Sequence, residues 1–188
     1  MNLRHDLISD DLMSRGVSHR PATEGDRDFL FRVYANTREE ELAVLDWPED
    51  QKAAFLHQQA AAQHTYYREQ YPDAQFDVVE LNGEAIGRIY LAEWDREFRV
   101  IDIALLDRCR GQGIGSLLMR SVLLLAGAVG KAVTIHVEQF NPARRLYDRL
   151  GFKEIEDRGV YRFLEWSPPA GEEASPPASL RPTSHRIS

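Results

Sequence analysis

A glycine-rich stretch directly before an apolar helix is the clearest site for chemistry in this sequence. Residues 110–115 read RGQGIG, with glycines at Gly111, Gly113 and Gly115. The first turn of a helix leaves backbone N–H groups without partners, and the positive end of the helix dipole lies behind them. A glycine loop can direct further N–H groups into the same space. The pattern therefore predicts an anion site, above all a phosphate site.

Two common phosphate-binding patterns do not fit this stretch. A Walker loop requires Gly-x-x-x-x-Gly-Lys-Ser/Thr, and no lysine stands in the required position. The dinucleotide pattern requires Gly-x-Gly-x-x-Gly, whereas this chain has Gly-x-Gly-x-Gly after a predicted hairpin rather than a β-α-β unit. A tight turn between a strand and a helix would also explain the three glycines.

Hydrophobic periodicity indicates the elements that position this loop. Alternating and β-branched residues predict strands, a hairpin turn is expected at 82–83, and residues spaced three and four apart predict helices. The stretches 23–26 and 46–49 resemble capping boxes, each at the start of a helix. The predicted strands cover 17–22, 76–81, 85–93, 98–106, 131–137, 153–156 and 160–166, and the two later helices cover 114–130 and 141–150.

The resulting order of elements is β-α-α-β-β-β-α-β-α-β-β. Hairpins followed by β-α-β crossovers predict an α/β (α+β) fold, in which a mixed central sheet of about seven strands is flanked by about four helices. The helix after the glycine loop carries an apolar stripe that includes Ile114, Leu118 and Val122. Leu123 and Leu124 widen the stripe, so we expect this helix to be buried on more than one side.

The two ends of the chain differ from its middle. Residues 1–16 have no strong hydrophobic period and are predicted to form an N-terminal arm or an extra helix. Residues 167–188 hold five of the nine prolines and almost no apolar residues. Such a composition cannot bury enough surface to fold, so it predicts a flexible Pro-rich tail. One domain, residues 17–166, is expected between the two ends.

Composition narrows the class of protein. The 188 residues are 43% hydrophobic and 28% charged, as in an ordinary soluble domain. A net charge of −7 argues against nucleic acid or an anionic membrane as the main partner. No signal-peptide core and no apolar stretch of about 18 residues is present, so the expected compartment is the cytoplasm. Cys109 is the single cysteine, which excludes an internal disulfide, and no metal site is predicted.

Two stretches together resemble the signature of a known enzyme family. Residues 110–115 resemble the Arg/Gln-x-x-Gly-x-Gly/Ala acetyl-CoA loop of the GNAT N-acetyltransferases, and residues 141–152, NPARRLYDRLGF, resemble the second motif of that family. The resemblance covers about residues 17–166 and extends to the predicted order of elements. It implies the GNAT fold, acetyl-CoA as cofactor with CoA as product, and direct transfer of the acetyl group to a primary amine.

The resemblance also assigns residues to the cofactor. The backbone amides of residues 112–115 would bind the diphosphate, with Arg110 and Ser116 beside it. Leu105 and Leu106 would offer backbone groups to the pantetheine arm at the end of the preceding strand. The complete cofactor set that the resemblance implies is Leu105, Leu106, Arg110, Gly111, Gln112, Gly113, Ile114, Gly115, Ser116, Asn141 and Tyr147.

Tyr147 and Asn141 are the residues that the resemblance places at the reacting end of the cofactor. Acetyl transfer needs a neutral amine and a leaving thiolate that is stabilised or protonated. By the resemblance, Tyr147 is the general acid near the CoA sulfur, and Asn141 contacts the pantetheine arm. The residues also permit simpler roles, since Asn141 before Pro142 suits a helix start and Tyr147 lies on an apolar helix stripe.

The residue that would take the proton from the amine is open between two acids. Many family members use a glutamate on the fourth strand, where Asp102 is the only acid here. Strict alternation would place Asp102 on the face of Val100 and Ala104, where it would need a partner, so a hydrogen-bonded structural role is the alternative. Glu138 and His136 are predicted to share one face of the fifth strand. Either could be the base or could bind the acceptor amine, and an exposed surface pair is the simpler interpretation.

The connection between the first two helices usually sets the acceptor in this family. Glu39 and Glu41 would attract an ammonium group, Arg38 a carboxylate, and Trp47 would line a pocket. Together with His136, these are the predicted substrate-binding residues. A solvated helix end and ordinary core packing are the simpler interpretations of the same residues.

The expected acceptor is a small amine or an amino-acid-like molecule. The alternatives are a protein N-terminus or lysine, or a non-catalytic acyl-CoA-binding module. Cys109 next to the loop would permit an acetyl-cysteine intermediate, but the resemblance implies direct transfer. A homodimer is common in the family, although no apolar patch in the sequence indicates one.

Overall fold

Seven strands form one mixed sheet in the computed structural model, which describes residues 7–169. The strands are β1 (Val17–Pro21), β2 (Gln75–Leu81), β3 (Glu84–Glu93), β4 (Glu97–Leu105), β5 (Ala132–Glu138), β6 (Lys153–Arg158) and β7 (Tyr161–Trp166). Their spatial order is β1-β2-β3-β4-β5-β7-β6. Only β4 and β5 pair in parallel, and the other neighbours are antiparallel. The predicted α/β fold with its mixed sheet is confirmed.

Five helices flank the sheet within residues 7–169, one more than the sequence indicated for the domain. They are α1 (Asp10–Ser14), α2 (Arg27–Ala43), α3 (Glu49–Gln70), α4 (Ile114–Ala128) and α5 (Arg144–Leu150). The additional helix, α1, comes from the N-terminal segment, where Leu7 and Leu12 are buried in the main core. Each such leucine contributes about 1.5–3 kcal/mol. The predicted tail lies outside the described residues from residue 170 onward, and no helix in 7–169 is long and apolar enough to cross a membrane.

The sheet separates two apolar cores. On one face, α4 packs its stripe, which includes Leu118, into a large core that also receives α1 and α5. On the other face, Phe29 and Val33 of α2 pack against Ala104 of β4. The prediction that Leu124 widens the buried stripe is wrong, because this side chain is 69% exposed. Leu123 is buried, as predicted, and α1 also packs on α4, so this helix is buried on more than its sheet side.

A β-bulge changes which residues of β4 share a face. Tyr90 of β3 pairs with Asp102, but the next residue of β3 pairs with Val100, so Ile101 is an extra residue in β4. Val100 belongs to the core under α4, whereas Ala104 belongs to the core under α2. The prediction that Asp102 shares the face of both residues is therefore wrong for Val100. Asp102 lies on the α2 side together with Ala104.

Two helix starts differ from the sequence prediction and one agrees with it. The capping box at 23–26 is present. At 46–49 the predicted capping box is absent, because Pro48 is the N-cap of α3 and no side chain hydrogen-bonds there. Helix α5 begins at Arg144 rather than at Asn141, because the Arg144 amide donates to the Asn141 carbonyl and closes a separate turn before the helix.

Candidate functional site

The loop between β4 and α4 presents a group of backbone amides. Gly111 and Gly113 have φ angles of 72° and 81°, left-handed values that cost other L-residues about 1–2 kcal/mol. Helix α4 begins at Ile114 with Gly113 as its N-cap, so no capping side chain covers its first turn. Within residues 7–169, no group accepts a hydrogen bond from the backbone amides of 111–116. The loop therefore offers the donors that a diphosphate requires.

Two arginines flank this loop. Arg110 donates from Nε to the Leu105 carbonyl oxygen at 2.9 Å and forms an ion pair with Asp107. Arg15, which directly follows α1, donates from Nη1 to the Gln112 carbonyl oxygen at 3.1 Å. Both guanidinium groups remain open to solvent, so both place positive charge beside the loop amides.

A cleft opens between β4 and β5 next to the loop. The two strands pair only where Glu97–Val100 faces Ala132–Ile135, and beyond these residues they separate. The bulge at Ile101 lies at the point of separation, because it bends β4 after its last paired residue. Backbone groups of both strands are thus left without a neighbouring strand, as a chain inserted between them would require.

The backbone of Leu105, but not that of Leu106, faces this cleft. The Leu106 amide donates to the Ile86 carbonyl at 2.9 Å, and its carbonyl accepts from Cys109 at 2.8 Å. Alternate residues of an antiparallel strand turn to opposite neighbours, so Ile103 and Leu105 direct their backbone groups away from β3. The Leu106 backbone groups thus already have partners, contrary to the expectation that they would bind the pantetheine arm, whereas those of Ile103 and Leu105 lie towards the cleft.

Tyr147 and Asn141 differ in what they contact. Tyr147 is only 3% exposed, and its ring packs edge-on against Phe152 at 5.6 Å. Burial raises the pKa of the Tyr147 hydroxyl above its ordinary value, and the charge of Asp102 raises it further. Asn141 accepts a hydrogen bond from the Ala143 amide at 2.8 Å, so its side chain stabilises the turn before α5 and does not cap the helix itself, which was the simpler role that the sequence had allowed. Asp102 and Tyr147, which the sequence predicted as base and acid, are therefore close enough for the charge of one to affect the pKa of the other.

Asp102 has a buried partner on β3. Its Oδ2 lies 2.5 Å from Nη2 of Arg88, and the two side chains are only 16% and 7% exposed. Arg88 also donates to Gln63 of α3 at 2.9 Å. The pKa of Tyr67 on α3 is raised by burial and then by the Asp102 charge. Asp102 thus has the hydrogen-bonded role that the sequence allowed, and its Oδ1 makes no hydrogen bond within residues 7–169.

Glu138 is joined to the predicted substrate-binding helix. Arg38 of α2 donates to Glu138 at 2.9 Å through Nη2 and to Glu41 at 2.9 Å through Nη1. Burial is the largest effect on the pKa of Arg38 and lowers it. The hydrogen bonds and charges of Glu138 and Glu41 together outweigh burial, so the pKa is raised. Arg38, Glu41 and Glu138 therefore form one cluster, in which the carboxylate that was predicted as a base is already ion-paired with the arginine.

Three further predicted substrate-binding residues have partners outside that cluster. Glu39 accepts a hydrogen bond from Asn36 at 3.1 Å and lines a groove of about 620 Å³ between α2 and α3. Trp47 packs edge-on against Phe55 of α3, with ring centroids 5.6 Å apart. His136 does share a face with Glu138 on β5, as predicted, but its ring stacks on Phe163 at 4.6 Å. Trp47 thus packs against a neighbouring ring, which is the simpler of the two roles that the sequence allowed.

A model of the acetyltransferase (GNAT) family matches residues 38–152. This match includes the loop, the cleft and Tyr147, and it covers more than half of the chain. The chain belongs to the GNAT acetyltransferase family. GNAT proteins are acyltransferases that use acetyl-CoA as co-substrate, and the loop amides described above fit its diphosphate.

One curated relative is an N-alpha-acetyltransferase of Sulfurisphaera tokodaii. It is 32% identical over 98 residues, which correspond to 44% of this chain and 59% of the relative. The chain therefore spans about three fifths of the length of the curated relative that it matches.

Solved structures of other GNAT proteins share the fold. The PaiA N-acetyltransferase of Thermoplasma acidophilum in complex with coenzyme A aligns with a TM-score of 0.61 at 16% identity, over 80% of this chain and 98% of that chain. The Ard1 protein of Thermoplasma volcanium aligns at 0.51 and 19% identity, over 82% and 99%. Arabidopsis thaliana Naa50 with the bisubstrate analogue CoA-Ac-MVNAL aligns at 0.52 and 17% identity, over 81% and 99%.

The GNAT loop should be sensitive to a single methyl group at Gly113. In the variant Gly113→Ala, the left-handed φ of 81° is strained, so the loop relaxes and the amides of α4 turn away from the diphosphate. We expect the dissociation constant for CoA to rise about tenfold or more, which corresponds to about 1.4 kcal/mol. Calorimetric titration with CoA measures this. Gly130→Ala is a matched control, since Gly130 also has a positive φ, of 68°, but lies at the far end of α4.

No sequence motif indicates Arg15, because it is a single basic residue after a five-residue helix. Its contact with Gln112 predicts that Arg15→Ala weakens CoA binding by about threefold to tenfold, as expected for one exposed charge-assisted contact. Titrations at low and high salt measure the effect, which should shrink as salt screens the charge. Equal affinity of both proteins at low salt would exclude a role for Arg15.

Proposed function

We propose that this GNAT enzyme acetylates the α-amino group of a peptide or protein N-terminus. The observation that carries the proposal is that the sheet face beside the cleft is open to solvent along β6 and β7. Helix α2 covers β3 and β4 there, whereas β6 and β7 carry side chains that are open to solvent, such as Arg158 at 49% and Tyr161 at 45%. A surface that is open along the strands suits an extended peptide better than a small amine, which an enclosed pocket would hold.

The named relatives support the same acceptor. The Sulfurisphaera relative is called an N-alpha-acetyltransferase, and the Naa50 structure holds a bisubstrate analogue with a five-residue peptide. The peptide N-terminus, which the sequence left as the alternative to a small amine, is therefore the better supported acceptor.

The described residues divide the chemistry of transfer among them. Acetyl-CoA supplies an acetyl group that is activated as a thioester. The loop amides at 111–116 hold the diphosphate and so fix where the reactive end lies. The buried hydroxyl of Tyr147 stays protonated and donates its proton to the leaving thiolate. Asp102 accepts the proton that the amine loses, through Oδ1, while its Oδ2 is held by Arg88.

An acceptor panel with the purified chain and acetyl-CoA tests the proposal. The panel contains a peptide with a free N-terminus and no lysine, the same peptide with a blocked N-terminus and one internal lysine, free amino acids, and spermidine. We expect thiol release and a mass increase of one acetyl group only with the first peptide. Transfer to lysine or to the small amines alone would overturn the proposed acceptor, and thiol release with none of them would favour a binding module.

A further inference from the structure

We propose that Arg99, His136 and Arg158 form an anion-binding subsite for an acidic side chain of the acceptor peptide. The inference rests on the proposed function, because it concerns a peptide whose α-amine reaches the cleft. The subsite would make the enzyme prefer peptides with an acidic residue shortly after the N-terminus. None of these three side chains takes part in the catalytic chemistry assigned above.

An aromatic ring holds the three side chains in place. The His136 imidazole stacks on Phe163 with centroids 4.6 Å apart. The guanidinium carbons of Arg99 and Arg158 lie 4.9 and 5.2 Å from the centroid of the same ring. Arg99 is further fixed by Thr134, which accepts from its Nε at 2.6 Å. Such fixed guanidinium groups lose little conformational entropy when they bind a ligand.

The subsite has more hydrogen-bond donors than acceptors. Nη1 of Arg99 lies 3.5 Å from Nδ1 of His136, and Nη1 of Arg158 lies 3.2 Å from Nε2. Guanidinium groups only donate, and a neutral imidazole has a single acceptor nitrogen, so His136 can accept from only one of the two. The other arginine therefore has an N–H group that lacks an acceptor in the cluster, and a carboxylate oxygen would supply one.

The local charge also favours an anion. Glu97 and Glu156 accept from the Nη2 atoms of Arg99 and Arg158, at 2.9 and 2.7 Å. The pKa of His136 is nevertheless lowered, by burial first and then by the two arginines, whose effect exceeds that of the two glutamates. The two arginines thus act on the imidazole more strongly than their acidic partners do.

The position of the subsite fits a peptide rather than a free amino acid. His136 directly follows Ile135, the last residue of β5 that pairs with β4, so it stands at the mouth of the cleft. Arg99 and Asp102 point to the same face of β4. Because Ile101 is the extra residue of the bulge, the two pair with Ala92 and Tyr90 of β3, which are two residues or about 7 Å apart. An extended peptide whose amine lies beside Asp102 would therefore place the side chain of its second or third residue at Arg99. The carboxylate of a free amino acid is too close to its amine to span this distance.

Three peptides of equal length test the inference. They carry glutamate, glutamine or lysine at positions two and three, and they share the first residue and all later ones. With the native chain we expect kcat/KM to be about tenfold or more higher for the glutamate peptide than for the glutamine peptide, as for a hydrogen-bonded charge pair. The variant Arg158→Glu should remove that preference and favour the lysine peptide. Arg149→Glu, the same charge change at an exposed site on α5, should preserve the native order.

The possible results separate the subsite from the proposed function. Equal kcat/KM for the three peptides with the native chain overturns the subsite but leaves N-terminal acetylation intact. An equal fall for all three peptides in Arg158→Glu assigns the cluster a purely structural role and also overturns the subsite. If none of the free N-termini is acetylated while another amine is, the proposed function itself fails. Calorimetric binding of the three peptides to the CoA complex supplies a readout that does not depend on turnover.

Discussion

Replacing Tyr147 by phenylalanine will lower kcat about 10²- to 10⁴-fold, the range for loss of a general acid. The thiolate leaves without a proton donor in the variant, while the ring continues to pack against Phe152. Because burial and the Asp102 charge hold the pKa of Tyr147 above its ordinary value, the native hydroxyl keeps its proton across the neutral range. Any loss of native rate from its ionisation therefore occurs only above about pH 10.

Steady-state kinetics with acetyl-CoA and the accepted peptide measure this effect, and two further measurements isolate it. Thermal unfolding should show little change, because the substitution removes one oxygen atom from a side chain that is 3% exposed. CoA affinity should also stay within about twofold, since the loop amides carry that binding. A variant with native kcat would show that Tyr147 serves only to fill the core.

Replacing Asp102 by alanine will destabilise the fold by about 3–5 kcal/mol, the cost of leaving a buried charge without its partner. Arg88 is 6% exposed, and burial is the largest effect on its pKa and lowers it. The charge and hydrogen bond of Asp102, together with the charges of Tyr90 and Tyr67, nevertheless raise the pKa above its ordinary value. The variant loses that attraction but keeps the cost of burying the guanidinium group. Urea unfolding at neutral pH measures the difference in free energy of unfolding.

A double variant separates the structural role of Asp102 from its catalytic role. In Asp102→Leu combined with Arg88→Met, apolar groups replace both charges, and such replacements of buried pairs are often neutral or stabilising. We expect the double variant to recover most of the stability and to remain at least about 10²-fold slower than the native chain. Native rates in the refolded double variant would assign Asp102 to the ion pair alone and leave the proton to solvent or to another residue.

The sequence predicted well those features that local spacing determines. The alternation at 76–93 and the turn at 82–83 gave the β2–β3 hairpin, and the glycine loop gave both the start of α4 and the donors of the anion site. The loop and the second motif carried the resemblance to the GNAT family, which the family match confirmed. These features depend on residues that are close in the chain, so a single sequence contains the signal.

The features that escaped prediction depend on pairing between distant segments. The bulge at Ile101 has no local signal, because an extra residue exists only relative to the partner strand. The partners of Asp102 and Glu138 come from β3 and α2, so neither Arg88 nor Arg38 was assigned to them. One signal was present, since Arg88 and Asp102 are opposite charges in two apolar strands that follow each other in the chain. Such a pair indicates a buried ion pair.

Helix α3 has 22 residues, and none of them is fully buried, although Gln63 and Tyr67 are partly buried beside the Arg88–Asp102 pair. Because its own side chains are at most partly buried, we expect its local opening to cost less free energy than global unfolding. Its amide protons should therefore exchange with deuterium well before those of α4, which lies against the large core. An enzyme with such a loosely held helix can widen its entrance without disturbing the sheet. It could thus admit a terminus that is still attached to a bulky, already folded protein.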